Sequence, residues 1–472
     1  MRVGTVLGNH KWLTTPHDLL VRYNALDLVA TAKLVPKVKG ALLQSGNLPF
    51  WNEHFWPMAQ VTVDMQRRGV GQLDKDARNQ YRRRLRSEIA DLDKAILEGV
   101  KGDYNEKLFN SPKQLAKLLY DEWGLKDPPR THKRPARSTD LSALAWVLEN
   151  LRKKDEWVVP RLHDLFHRSR LQTILERYLS VEGDPDGRVR PTIKLTGTET
   201  LRLAYSGGPG EALQQWPHES RSLIRASPGK LFIARDYSQL EARILAILSN
   251  DGPSMEAFRL GRDIHTLNAG SLFGKDFFKE GNNDRAPEAL RNYAKTFLYG
   301  ISYGGKAESI KMKVFCPCWR CAAKAPEQVN LSRTEVKAAA DRWARAHFAV
   351  LEWRKALVES VYGAGGNRTW VSPFGFHRRM WEPFGEGERS LMNLPMQHCA
   401  AMIVNRAMVR LHTLGASLVL QMHDEIMLEV PEGKADLALA QLGEVMEMPV
   451  PELGGTVFPT KGGISDNWGG LK

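Results

Sequence analysis

Leu231 to Leu248 reads LFIARDYSQLEARILAIL. Leu231-Phe232-Ile233-Ala234 is an apolar run of the kind that forms a buried strand, and Ala242 to Leu248 carries the periodicity of a helix. Asp236 stands where the strand ends and the helix begins. Ser238 and Glu241 have the Ser-x-x-Glu spacing of a capping box, so a strand, a turn and a capped helix account for the stretch by themselves.

A second stretch adds chemistry. Ser417 to Met422 and Glu425 to Val430 are two strand-like runs separated by His423-Asp424, which predicts a tight hairpin with Asp424 at its tip. Asn-Gly or Asp-Gly is the usual choice there, because glycine accepts positive φ. His-Asp-Glu suits a metal site better than a turn. Two carboxylates at strand tips can hold two Mg²⁺ ions, roughly 3.5–4 Å apart, for an in-line phosphoryl transfer. A third stretch, Arg291 to Gly304 (RNYAKTFLYGISYG), places Ala294, Phe297, Leu298 and Ile301 on the core face of a helix. Arg291, Lys295, Tyr299 and Tyr303 recur every fourth residue on another face. Two cations suit a triphosphate and two aromatic rings suit a base.

DYSQLEAR (236–243), RNYAKTFLYGISYG (291–304) and QMHDE (421–425) together resemble the three polymerase motifs of family A, the DNA polymerase I type. The wording of the helix is closer to the phage branch than to the bacterial repair enzymes. The resemblance implies an α/β right-hand polymerase fold with palm, fingers and thumb, an antiparallel palm sheet, and largely helical fingers and thumb. It implies a template-directed DNA polymerase that adds deoxynucleotides to a primer 3′ end by a two-metal mechanism. The implied domains are an exonuclease-like remnant (1–48), the thumb (49–187), the first part of the palm (188–250), the fingers (251–397) and the second part of the palm (398–472).

Composition agrees with a polyanionic partner: 67 Lys+Arg stand against 54 Asp+Glu, a net charge of +13. At 472 residues the chain is too long for one simple core. Its four cysteines are too few for a disulfide framework. No apolar run is long enough to span a membrane, and Met1 to His17 lacks the apolar centre of a signal peptide. A soluble protein of the cytoplasm, in a bacterium or a phage-infected cell, is expected, acting as a monomer.

In chain order, Tyr23 and Asp27 have the Tyr-x-x-x-Asp spacing that resembles the last motif of the family's 3′–5′ exonuclease. Hydrolysis by bound metals needs several carboxylates. The segment is therefore expected to be a vestige packed against the polymerase, without proofreading, and a separate exonuclease or processivity factor could act beside it. Residues 49–185 read as mostly helical, with Ser111 as an N-cap before Pro112 and a basic loop over 126–139. Thr196 to Leu203 resembles the family's Thr-Gly-Arg-Leu segment with extra residues between Gly197 and Arg202, and Leu213-Gln214-Gln215 resembles its Leu-Gln-Asn. Asp263-Ile264-His265 resembles its Asp-Ile-His, and Arg389 to Gln397 its Arg-x-x-x-Asn-x-Pro-x-Gln, with His398-Cys399 replacing the usual Gly-Thr.

The resemblance then assigns roles. Asp236 and Asp424 bind the two Mg²⁺ ions, Glu425 supports them, and Lys295 gives a proton to pyrophosphate. Gln239, Glu241, His265, Arg291, Lys295, Tyr299 and Tyr303 meet the nucleotide. Glu241 sits beneath its sugar and rejects a 2′-hydroxyl, a role that competes with the capping box. Arg202, Gln214, Gly304, Arg389, Asn393, Gln397 and His423 meet the primer-template DNA. Acceptors at matching minor-groove positions let amide and guanidinium donors check pair shape without reading sequence.

Cys316, Cys318 and Cys321 depart from the family. Their spacing resembles part of a structural Zn²⁺ knuckle, though no fourth ligand lies nearby; free thiols in an exposed loop are the other reading. From a different functional class, a catalytically silent DNA-binding accessory subunit of the same fold would need the basic residues but not the two aspartates.

Overall fold

The computed structural model describes residues 16–98, 100, 106–128, 137–206, 212–273, 288–302 and 333–471. Tyr303, Gly304, Cys316, Cys318 and Cys321 lie outside the described residues, and with them the zinc reading. The principal helices are α1 (His17–Gln44), α2 (Trp56–Arg68), α3 (Lys75–Leu97), α4 (Val159–Thr173), α5 (Leu240–Ser249), α6 (Ile264–Phe273), α7 (Glu288–Ser302), α8 (Arg333–Ala346), α9 (Phe348–Tyr362), α10 (Phe384–Thr413) and α11 (Ala435–Met446). The central sheet comprises β1 (Lys230–Tyr237), β2 (Leu418–Met422), β3 (Glu425–Pro431) and β4 (Thr460–Ser465). Its order is β4-β1-β3-β2, and every pairing is antiparallel.

The apolar run predicted as a strand is the middle of β1, where Phe232, Ile233 and Ala234 are buried. Both faces are covered there, so the run is continuous rather than alternating. Alternation returns at the end of the strand. Tyr237 is buried and donates its hydroxyl to the Met446 carbonyl of α11 at 2.6 Å, which leaves Asp236 on the opposite face. On the edge, β4 approaches β1 so closely that a side chain at Gly462 would strike the Ala234 carbonyl. The chain end holds this strand in place. Trp468 is 2% exposed, lies 6.1 Å from Trp216 between ring centroids, and has the Arg221 guanidinium 4.9 Å above its ring.

Residues between Ile96 and Phe166 form a core of their own, including Leu108, Leu118, Leu119, Val158 and Leu162. The expected thumb begins at 49, but Met58, Val61 and Met65 on one stripe of α2 are buried in the main core, where α2 packs on β2 and α10. The segment before residue 96 is thus largely built into the sheet domain. Asp74 caps α3 by accepting the Ala77 N–H at 2.9 Å, and Ser111 caps the short helix at Pro112 as the sequence predicts.

Two expectations need correction. None of α1 is buried, so the segment with Tyr23 and Asp27 is not packed against the rest of the described chain. Its apolar side chains, among them Leu26, Leu28, Val29, Leu34 and Val35, are distributed around the helix instead of forming one stripe that could be laid on a core. The boundary expected between 397 and 398 falls inside α10, a single helix of 30 residues with Pro395 in its interior. Proline removes one helical hydrogen bond, and burial of Leu391, Leu394, Met396 and Cys399 around it outweighs that loss. His398 and Cys399 are buried on this helix: the His398 ring stacks on Phe376 at 5.2 Å and meets Trp370 edge-on at 5.4 Å.

Candidate active site

The hairpin between β2 and β3 pairs Met422 with Glu425, which leaves His423 and Asp424 as the two turn residues. His423 adopts φ 56°, the left-handed conformation that glycine would normally supply. The local strain marks the position as one where side-chain chemistry prevails over turn propensity. Register then brings the acids together: Glu425 of β3 lies directly opposite Asp236 of β1 on one face of the sheet. The Asp424 carbonyl also accepts the Tyr237 N–H at 3.3 Å, tying the turn to the end of β1.

Three carboxylates therefore converge. Burial pushes Asp236 up to about 7, with the Asp424 and Glu425 charges adding and Lys295 opposing. Asp236 nonetheless keeps an open side towards solvent. Asp424 is raised to about 6 by burial, with Arg202 and Lys295 opposing and Glu241 adding. Burial raises Glu425 as well, against the charge of Arg221. The facing cations thus fail to compensate the two aspartates, an imbalance of the sign that a divalent cation would offset. Among the described residues no group of three or more His, Cys, Asp and Glu side chains forms a closed metal cage. An open two-carboxylate site suits a metal that keeps waters and substrate oxygens as its remaining ligands, as Mg²⁺ does.

After β1 the chain turns through Gln239, whose φ 56° and ψ 40° are left-handed, and α5 begins at Leu240. Gln239, not Ser238, stands at the N-cap, and its side chain makes no cap bond to α5. Glu241 instead accepts from Arg202 at 2.5 Å, and the same Arg202 Nη2 lies 3.4 Å from Asp424. The residues inserted before Arg202 make the loop of a small hairpin that pairs Thr192–Lys194 with Ala204–Ser206. Thr198 pins this loop by donating to the Arg202 carbonyl at 2.9 Å, and the arginine reaches the acids.

The helical side of the site is assembled from α6 and α7. Gln239 reaches across to accept the Ile264 N–H at 3.0 Å, capping α6 from another element. His265 is 1% exposed, its ring lies 5.8 Å from that of Tyr299, and burial lowers its pKa to about 4. Arg291 bonds Asp263 through Nε (3.1 Å) and Nη2 (2.7 Å). Lys295 is felt by Asp236, Asp424 and His265 alike. Burial, then the charges of Glu241 and Asp424, raise the Tyr299 hydroxyl pKa.

Asp236, Asp424, Glu425, Glu241, Arg202, Lys295, Tyr299, His265, Arg291 and Gln239 are thus linked by contact or by charge. His423 belongs with them, its pKa lowered by burial and by Arg202 and Arg221. Gln214 lies beside the Arg202 segment, donating to the Leu203 carbonyl at 3.0 Å. Arg389, Asn393 and Gln397 follow one another along a single stripe of α10, where Asn393 donates to the Arg389 carbonyl at 3.1 Å. Two neighbours were not singled out from sequence: Asp263, which precedes His265 and holds Arg291, and Arg221, whose charge faces Glu425.

The family model described as DNA polymerase family A matches residues 75–469. A thermostable DNA polymerase I of Thermus filiformis is 32% identical over 415 residues, covering 84% of this chain and 45% of that protein. DNA polymerase I of Caldicellulosiruptor bescii is 31% identical over 437 residues, covering 87% of this chain and 46% of that protein. The chain spans about half the length of these relatives. Among solved structures, the polymerase domain of Pol1 from M. smegmatis, in complex with DNA primer-template and dNTP, superposes with a TM-score of 0.76 at 24% identity. That match covers 93% of this chain and 74% of the other. The fold is the right-hand polymerase fold expected from the sequence, mostly helical around small antiparallel sheets. Matched over most of its length, the chain belongs to DNA polymerase family A.

Proposed function

We propose that this chain is a template-directed DNA polymerase that extends a primer 3′ end with deoxynucleotides. The observation that carries the reading is the meeting of two uncompensated aspartates, Asp236 and Asp424, with Lys295 and Tyr299 of α7. A protein that only bound DNA would need the cations but would gain nothing from acids beside phosphates.

Asp236 and Asp424 are the ligands for two Mg²⁺ ions. Bound there, the ions would lower the pKa of the primer 3′-hydroxyl and stabilise charge on the reacting phosphorus. Arg291 and Lys295 bind the triphosphate, and Lys295 donates a proton to the departing pyrophosphate. His265, kept neutral by burial, offers a hydrogen bond to a phosphate oxygen without adding charge. Tyr299 stacks on the incoming base. Glu241, held in place by Arg202, lies under the sugar and excludes a 2′-hydroxyl. Arg202, Gln214, His423, Arg389, Asn393 and Gln397 contact primer and template. Glu425 supports the metal-binding aspartates from the adjacent strand. The thumb of this reading is centred on the separate core between Ile96 and Phe166.

Asp27 stands on an unburied helix with Tyr23 as its hydrogen-bonding partner, so synthesis without primer degradation by this chain is part of the reading. Primer extension on a DNA template with Mg²⁺ tests it, with dNTPs, rNTPs or no nucleotide in parallel. Extension with dNTPs alone and an intact primer in the last reaction are expected. Tight DNA binding with no extension would overturn the reading in favour of an accessory subunit. Shortening of the primer would overturn the absence of proofreading.

A further inference from the structure

The start of α6 is built by residues from several elements. Asp263 Oδ1 caps the helix by accepting the Thr266 N–H at 2.8 Å. Gln239, in the turn that follows the Asp236 strand, accepts the neighbouring Ile264 N–H at 3.0 Å. The Asp263 carboxylate also receives Arg291 of α7 through two bonds, 3.1 Å from Nε and 2.7 Å from Nη2. The pair is mostly sheltered, with side chains 16% and 27% exposed. One carboxylate therefore joins the helix that carries His265 to the helix that carries Arg291, and Gln239 joins both to the turn beside the catalytic acids.

Two parallel bonds to one carboxylate fix the plane of a guanidinium, and with it the direction in which the other donors act. Lys295 and Tyr299 follow one and two turns further along α7. We propose that Asp263 is a positioning residue for nucleotide binding: it does not touch the nucleotide, but orients Arg291 beside His265 so that both reach the triphosphate together. This inference rests on the polymerase reading above.

Asp263 has two opposing effects on a triphosphate. Its negative charge repels the ligand, so removing it would tighten binding. Its clamp fixes the arginine, so removing it would loosen binding. Charge-assisted bidentate bonds are the stronger and more directional of the two, whereas repulsion at a partly exposed site is screened. Loosening is therefore expected to win.

Asp263→Asn separates the clamp from the cap, because asparagine caps helices as well as aspartate but cannot form the charged bidentate pair. Asp263→Ser is a second variant with the same property. Single-nucleotide incorporation by the full chain would be measured for the wild type, both variants, Arg291→Ala, and Asp263→Asn combined with Arg291→Ala. The expected result is a roughly tenfold rise in KM for the dNTP, with kcat within about twofold and the melting temperature unchanged. In the Arg291→Ala background the Asp263 change should add nothing. An unchanged or lowered KM in both single variants would overturn the inference, as would an equal effect in the presence and absence of Arg291. A wild type that fails to incorporate at any dNTP concentration overturns the polymerase reading and this inference together; a working wild type matched by its Asp263 variants overturns the inference alone.

Discussion

Replacing Asp424 by asparagine separates what this carboxylate does for catalysis from what it does to the fold. Burial holds Asp424 at about 6, against about 3.9 for an unperturbed aspartate. The folded protein therefore keeps the proton to higher pH than the unfolded chain does. The resulting term is destabilising: it is absent below about pH 4, grows as the pH rises towards 6, and is complete above that. Two units correspond to at most about 3 kcal/mol. Two effects reduce the gain from Asp424→Asn. The side chain is 21% exposed, and the variant loses the 3.4 Å contact with Arg202, which keeps Glu241. A net stabilisation of about 1–2 kcal/mol above pH 7 is expected in the absence of metal. Urea midpoints in EDTA from pH 4.5 to 8 measure it, with primer extension run on the same preparations. The gap should close at the acid end and should narrow when Mg²⁺ is added, because only the wild type gains from binding the ion tightly. Extension should be abolished while primer-template binding persists. A variant less stable than the wild type at pH 8 in EDTA would refute the electrostatic reasoning, and extension at a near wild-type rate would refute the metal assignment.

Trp468→Ala removes a ring that is 2% exposed beside Trp216, and should destabilise the protein by about 3–5 kcal/mol in denaturant titration. A loss below about 1 kcal/mol would mean that the chain end does not hold the sheet edge. His398→Leu should stabilise by about 1 kcal/mol at neutral pH, because the buried ring has the Thr200 backbone as a polar neighbour and burial outweighs that contact. Burial lowers the His398 pKa to about 3, against about 6.5 unfolded, so the wild type loses stability as pH falls through this window and the variant does not. A melting-temperature gap that fails to widen between pH 8 and pH 5 would count against this. Tyr299→Phe should lower the ratio of dideoxy- to deoxynucleotide incorporation if, as we propose, its hydroxyl stands in for a missing 3′-hydroxyl; an unchanged ratio in competitive incorporation would refute that role.

The local elements of the site are written in short stretches of the chain. An apolar run, a carboxylate and a helical period made β1, Asp236 and α5, and two strand-like runs around His423-Asp424 made the hairpin. These are short-range properties, set by burial and by the period of side-chain direction. The fourfold spacing of Arg291, Lys295 and Tyr299 fixed their common face for the same reason. For Glu241 the sequence left a local cap and a role beneath the sugar in competition, and could not show its partner, an arginine 39 residues earlier in the chain. It also divided α10 at 397, because the motif ends there, whereas packing on both sides of Pro395 keeps the helix whole. It packed α1 against the polymerase, although apolar residues on every side of a helix do not define a face. That Glu425 lies opposite Asp236, and that Arg202 spans Glu241 and Asp424, becomes visible in the folded chain alone. The same holds for Asp263 gripping Arg291 from 28 residues away. Such pairings depend on strand register and on which helices the sheet brings together. Those are fixed by the burial of side chains far from the acids, and no spacing within a motif encodes them.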